Sequence, residues 1–234
     1  MDDLVFATAT WARTQEEGEI IFSGLTSLSK FGAKIVVGDK SISDFPLAEK
    51  LSEISNISVI PGGALDDQRR KVCLEAAKMG KNIFWLESDK KYFIENELKR
   101  ILSKGLLNGH IVVPFPDKHS FDAYPAFQKE IENFLNKMIG LYIPGDKHFT
   151  YGPMLFPSEL VKYMEMSKKE LGWGINIFFA IIGFARGMRV DCIEVTVPHD
   201  HDVQEGELLR RFRLEQAIDY MRSIQEASRL IENK

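Results

Sequence analysis

One pattern, repeated between Leu4 and Val113, constrains the fold more than any other feature of the chain. Short apolar runs of strand type, Leu4–Thr10, Lys34–Val37, Ile57–Ile60, Asn82–Leu86 and His110–Val113, alternate with segments of helical spacing. Those segments are Glu16–Phe31, Phe45–Ile54, Leu65–Met79 and Tyr92–Leu102. In the first of them, Ile20, Ile21, Leu25, Leu28 and Phe31 recur every three or four residues. Strands alternating with helices of this length predict an α/β fold, a mainly parallel sheet flanked by helices. Ligands of such sheets sit beyond the carboxyl ends of the strands. The informative segments are therefore Thr8–Arg13, Gly38–Lys40, Pro61–Ala64 and Glu87–Lys90.

The second half is less regular. Pro125–Met138 reads as an amphipathic helix with Phe127, Ile131, Phe134, Leu135 and Met138 on its apolar face. Phe149–Phe156 reads as a strand with a Gly-Pro break, Trp173–Arg186 as a buried helix, and Val190–Val197 as a strand. Glu207–Ile231 is a long charged helix. Its apolar stripe, Leu214, Ala217, Ile218, Met221 and Ile224, suits packing on its own domain first and a homo-oligomer second. A length of 234 residues predicts one domain ending in a C-terminal helix (207–234). The apolar run Ile175–Ala185 is interrupted by Asn176 and Gly183 and is about half of a bilayer span. No transmembrane segment and no signal peptide are expected, and the two distant cysteines suit a reduced, cytoplasmic protein. The net charge of −4 argues against a nucleic-acid partner.

Three segments can carry chemistry. In Glu87-Ser88-Asp89 an apolar strand delivers two carboxylates two residues apart, pointing the same way if the chain stays extended. Hard oxygen ligands of this type suit Mn²⁺ or Mg²⁺, which also bind diphosphate oxygens. Pro198-His199-Asp200-His201-Asp202 alternates histidine and aspartate after the last strand, so a second metal ligand can come from there. Gly172-Trp173-Gly174-Ile175-Asn176 opens a helix with glycines that permit close backbone approach. Each segment also has a plain structural reading: a solvated strand end, a polar loop and a packed helix start. Dinucleotide-binding, P-loop and nucleophile-elbow motifs are absent from the sequence.

Taken in order, from about Leu4 to about Asp202, these pieces resemble the GT-A nucleotide-diphospho-sugar transferases. The resemblance places a nucleotide-holding loop at Ala7–Arg13, with Thr8, Thr10 and Arg13 as candidate contacts. It places a base or ribose ligand at Asp39 and phosphate-neutralising cations at Arg69 and Arg70. Glu87-Ser88-Asp89 stands where the family has D-x-D. The resemblance makes 1–118 the nucleotide-binding half and 119–206 the acceptor half, with Tyr151, Gly152, Trp173 and Gly174 in the acceptor and sugar region. Gly172 through His201 looks like retaining enzymes of the mannosylglycerate synthase type, in which a histidine after the last strand completes the metal shell. That implies Asp89 as the main ligand, His201 or alternatively His199 as the second, and Glu87 as a ligand through water or a sugar-orienting group.

Asn176 departs from inverting relatives, which carry an acid near this point as the acceptor's base; an amide cannot take that role. The implied activity is a metal-dependent glycosyltransferase, with Asp89, Glu87 and Asn176 at its centre. It would move sugar from a nucleotide-diphosphate donor to a small or lipid-linked acceptor, with retention favoured. A non-catalytic nucleotide-sugar-binding or assembly protein of the same fold is the alternative. A sugar-phosphate nucleotidyltransferase ranks lower because Thr8–Arg13 holds no glycine.

Overall fold

A computed structural model of the chain describes residues 3–105, 110–145, 148–167, 170–197 and 206–232. Seven strands form one sheet: β1 (Leu4–Thr10), β2 (Lys34–Asp39), β3 (Ile57–Pro61), β4 (Asn82–Trp85), β5 (Ile111–Pro116), β6 (Met154–Pro157) and β7 (Val190–Val195). Their order is β3-β2-β1-β4-β6-β5-β7. Pairings β1·β2, β2·β3, β1·β4 and β5·β7 are parallel, and β6 alone runs antiparallel to both of its neighbours. The carboxyl ends of the six parallel strands therefore share one edge. The strand order reverses beside β1, which opens a crevice between the ends of β1 and β4.

Helices cover both faces. On one face α1 (Gln15–Ser29), α2 (Leu47–Ser52) and α4 (Leu98–Gly105) bury Leu25, Leu28, Leu51 and Ile101 against Phe6, Ile35 and Phe84. On the other face α3 (Leu65–Met79), α7 (Val161–Met166), α8 (Ile175–Ala185) and α9 (Glu207–Glu232) pack on Val5, Val36, Ile83 and Trp85. The two short and long remaining helices, α5 (Lys118–Asp122) and α6 (Ala126–Gly140), lie between β5 and β6 in sequence. Because α8 is apolar all round, Ile175 through Gly183 are all buried, and Phe179 stacks on Phe156 of β6 with ring centroids 4.5 Å apart.

Several expectations are corrected. The alternating run Phe149–Phe156 is a strand only from Met154, because Gly152 adopts φ +114° and turns the chain first. The helix expected over Tyr92–Leu102 opens with a π-helical turn, Phe93–Glu97. Helices α5 and α7 are additional elements. In α6 the buried face is Gln128, Glu132, Leu135 and Ile139, and the expected core residue Phe134 is 52% exposed. The stripe of α9 turns inward only from Ile224; Leu214 and Ile218 remain half exposed. Among the described residues no helix is long and apolar enough to cross a membrane.

The stacked pair locking β6 to α8 makes a direct test of this core. Phe179→Ala is expected to cost about 3–5 kcal/mol. Urea unfolding followed by circular dichroism should show a lower midpoint with an unchanged slope.

Candidate functional site

The crevice begins where β1 and β2 end. Thr10 and Asp39 are register partners, and the Thr10 hydroxyl donates to Asp39 Oδ1 at 2.7 Å. The same oxygen accepts the Ser41 hydroxyl at 2.6 Å and the Ser41 amide at 3.1 Å. All three bonds fall on one carboxylate oxygen, so the group is held in place with Oδ2 uncommitted. Beneath it, buried Gln68 of α3 donates its amide to the Thr10 carbonyl at 3.0 Å and also to the Gly38 carbonyl. Thr8 is fully buried within the sheet, its hydroxyl unpartnered. Arg13 instead lies in the exposed loop, paired with Glu17 and 5.7 Å from the half-exposed Trp11 ring.

Beyond β4 the chain does not stay extended. The Lys90 amide bonds to the Glu87 carbonyl at 3.3 Å and the Lys91 amide to the Asp89 carbonyl at 2.8 Å. This turn separates the two acids that an extended chain would have aligned. Asp89 is exposed, and among the described residues its carboxylate makes no hydrogen bond or ion pair. Glu87 points inward: its Oε2 is buried without a partner. Gly152 is pressed against that carboxylate so closely that a Cβ would lie 2.5 Å from both oxygens, and its φ of +114° also requires glycine. The side-chain amide of buried Asn176 donates to the Gly152 carbonyl, leaving its own Oδ1 unpartnered. Burial raises the Glu87 carboxyl above the usual range, against the opposing pull of Lys90 and Arg69.

Arg69 ties this corner to the second half. Its guanidinium is 4% exposed and lies between the Trp173 ring at 4.2 Å and the Trp85 ring at 5.3 Å. It donates to the Gly172 carbonyl at 3.1 Å, and its Nε is left without a partner. Helix α9 closes over the same segment. Asp219 accepts the Trp173 amide at 3.2 Å, and the Ser223 hydroxyl donates to the Leu171 carbonyl at 3.0 Å. A Cβ on Gly172 or Gly174 would collide with Asp219 or Ser223, so these glycines serve helix packing as well as backbone shape.

A second buried acid adjoins this corner. Glu132 of α6 accepts the Gln128 amide at 2.7 Å and the Thr150 hydroxyl at 2.8 Å. Its neighbour one turn on, Asn136, accepts the Phe149 amide at 2.9 Å, so α6 holds the segment that leads to Tyr151 and Gly152. The Lys90 ammonium sits 4.3 Å from the Tyr151 ring centroid and lies within electrostatic reach of both Glu87 and Glu132. Arg213 of α9 reaches Glu132 in the same sense, and Tyr124 and Tyr220 both feel the Glu132 charge. The sequence reading missed Glu132 and Tyr220, and gave Lys90 only as the end of an informative segment. The available signal was Gln128 and Glu132 at the i, i+4 spacing of Leu135 and Ile139, polar residues in phase with a buried face.

The structure thus brings together Glu87, Asn176, Tyr151, Gly152, Arg69, Trp173 and Gly174, and separately Thr10 with Asp39. Arg70 is half-buried on α3, and Arg13 is turned to Glu17. His199 and His201 lie outside the described residues. A groove of about 970 Å³ between α6 and α9, lined by Met138, Tyr142, Ile218 and Met221, lies on another face of α9 from Tyr220 and Ser223.

The fold can be compared with solved structures. A complex of glucosyl-3-phosphoglycerate synthase from Mycobacterium tuberculosis with uridine-diphosphate superposes with a TM-score of 0.62 at 15% identity, covering 95% of this chain and 80% of that one. The complex of that enzyme with Mn²⁺, UDP-glucose and phosphoglyceric acid gives 0.61 at 13% identity, again over 95% and 80%. Its complex with Mn²⁺ and UDP-glucose gives 0.60 at 13% identity, over 95% and 79%. This is the GT-A glycosyltransferase fold. No protein-family description and no curated protein matches the chain.

Within a GT-A fold the free carboxylate of Asp89 fits a divalent cation, because Mn²⁺ or Mg²⁺ is commonly held by one or two carboxylates plus substrate phosphates. Among the described residues no group of three His, Cys, Asp or Glu side chains converges on one point. Further ligands would come from phosphate, water or the Pro198–Asp202 segment.

The buried acid of α6 carries a pH signature. Burial raises the Glu132 carboxyl, so the folded state holds this proton to higher pH than the unfolded chain does. Stability is then expected to fall as pH rises from the unfolded value, about 4.3, through the folded one. Glu132→Gln should flatten this part of the profile, measured by urea unfolding between pH 5 and 8.

Proposed function

We propose that the chain is a metal-dependent glycosyltransferase that takes sugar from a nucleotide-diphosphate donor. The observation that carries this reading is the exposed Asp89 in the turn after β4, at the same strand edge as the pre-set Asp39. Asp39 Oδ2 would receive a donor hydrogen from base or ribose. Arg69, with a free Nε beside the crevice, would balance charge that develops on the departing diphosphate. A bound Mn²⁺ or Mg²⁺ at Asp89 supplies further charge neutralisation for that leaving group. UDP is the first nucleotide to test, since the fold neighbours are named as complexes with UDP and Mn²⁺.

Retention follows from the absence of a proton acceptor at Asn176. Its amide is spent on the Gly152 carbonyl and cannot serve as a base. Glu87 is covered by Gly152 and held above the usual carboxylate range. The acceptor hydroxyl would therefore attack from the face that the diphosphate leaves, its proton passing to the departing phosphate oxygen. The same two observations favour one second reading, a protein of this fold that binds the donor without turnover.

Asp89→Asn separates donor binding from folding. The wild-type chain with UDP and Mn²⁺, at a hundred times the dissociation constant, should gain about 2.7 kcal/mol. In a chain of this size that is a rise of roughly 5 °C in melting temperature. The variant should lose the Mn²⁺-dependent rise while keeping its unliganded melting temperature. An equal rise in both proteins rejects Asp89 as the metal ligand. UDP release from UDP-glucose then distinguishes transferase from non-catalytic binder.

A further inference from the structure

Helices α6 and α9 pack against each other and border a groove of about 970 Å³. Four of the large apolar side chains left in solvent gather on these two helices. Phe134, Leu141, Leu214 and Ile218 are each at least half exposed, Leu141 to 75%. They belong to two regular stripes. On α6 and its C-cap, Phe127, Ile131, Phe134, Met138 and Leu141 follow one another by four and three residues, and none is buried. On α9, Leu214, Ile218 and Met221 do the same. Met138 and Tyr142 form one wall of the groove, and Leu214, Ala217, Ile218 and Met221 the other. A four-three repeat is the seam along which one helix takes another. A contiguous apolar face with a polar rim marks an interaction site. Among the described residues no further element covers this one.

Charge selects the occupant. The charged residues lining the groove are Arg222, Arg229, Glu226 and Glu232, two of each sign. A balanced rim exerts no net pull on an anionic membrane, a nucleic acid or a strongly charged peptide. It suits a surface with the same balance in inverted order. A second copy presents that surface across a twofold axis, where residue i meets j and j meets i. Setting α9 antiparallel to its counterpart, with Ile218 at the axis, brings Glu215, one turn before, opposite Arg222 of the partner subunit, one turn after. Both side chains are exposed, to 61% and 53%, and each holds a loose intrahelical pair, with Arg211 at 3.3 Å and Asp219 at 3.4 Å. The axis makes the cross pairing twice. A parallel pairing would set glutamate on glutamate and arginine on arginine, so the charges fix the direction as well as the partner.

We propose that this face joins two copies of the chain in an antiparallel twofold dimer, with the α9 helices paired about Ile218 and α6 flanking each. The dimer backs the candidate site. Asp219 carries Arg222 on one carboxylate oxygen and the Trp173 amide on the other, so the helix that closes over the crevice is the helix clasped at the interface.

The test is sedimentation velocity on the full chain at concentrations rising through the micromolar range. Wild type should move from the mass of one chain to that of two. Ile218→Glu should stay at one chain and keep its melting temperature, because the native side chain is half in solvent. Glu215→Arg and Arg222→Glu, each alone, should weaken self-association about tenfold or more, since each sets like charges across the axis. An equimolar mixture of these two variants should recover it, because both cross pairs then join opposite charges. A wild type that stays at one chain overturns the inference, as do an Ile218→Glu dimer as tight as wild type and a mixture no tighter than its components. Flotation of a monomeric wild type with phosphatidylglycerol vesicles also overturns it and assigns the face to a membrane.

Discussion

The position of Arg69 sets the terms for the rest of the site. A guanidinium cannot shed its proton, so burying it demands partners that compensate for lost water. Here the compensation is two indole faces and one backbone carbonyl, and these come from distant parts of the chain: Trp85 at the end of β4, and Gly172 and Trp173 at the start of the α8 segment. Cation–π contacts of this desolvated kind contribute about 2 kcal/mol or more. The cation is thus a fastener between the parallel strands and the irregular half. It also places positive charge near the buried Glu87 carboxyl, where it opposes the effect of burial.

How far these features are legible in the amino-acid order varies with the physics behind each. Strands β1, β2 and β4 are buried on both faces over most of their length, so they read as continuous apolar runs with sharp ends, and helix α3 begins and ends where its periodicity does. Strand β5 runs further than its pattern suggests, through Pro114 and Pro116. It pairs with β6 only at Val112, so one side of its far end needs no amide donors and prolines are tolerated. Helix α6 was misjudged because residue type is a poor guide to burial when a polar group brings its partner along. Gln128 and Glu132 satisfy each other inside, and Phe134 is left in solvent. Asp39 and Asp89 were legible as residues at strand ends. The divergence of Glu87 from Asp89 was not, since it depends on a turn that closes through backbone bonds at Lys90 and Lys91.

Two acids of one short motif therefore sit in different surroundings. Asp89 is exposed and, among the described residues, unpaired. The other is enclosed, raised in pKa and pressed by a glycine. Desolvation is the largest influence at Glu87 and Glu132 alike, and it raises both carboxyls above the usual range. At the neighbouring strand edge Asp39 is half-buried and Asp89 exposed.

Helix α9 makes the burial of this corner depend on a distant part of the chain. Asp219 and Ser223 seat on Trp173 and Leu171, roughly fifty residues earlier. Closing so long a loop is hardly harder than closing one half its length, since each doubling adds only about 0.6 kcal/mol. Without α9 in place the Arg69 and Trp173 pair would lack its outer wall, so the exclusion of water here rests on α9 as well as on the sheet.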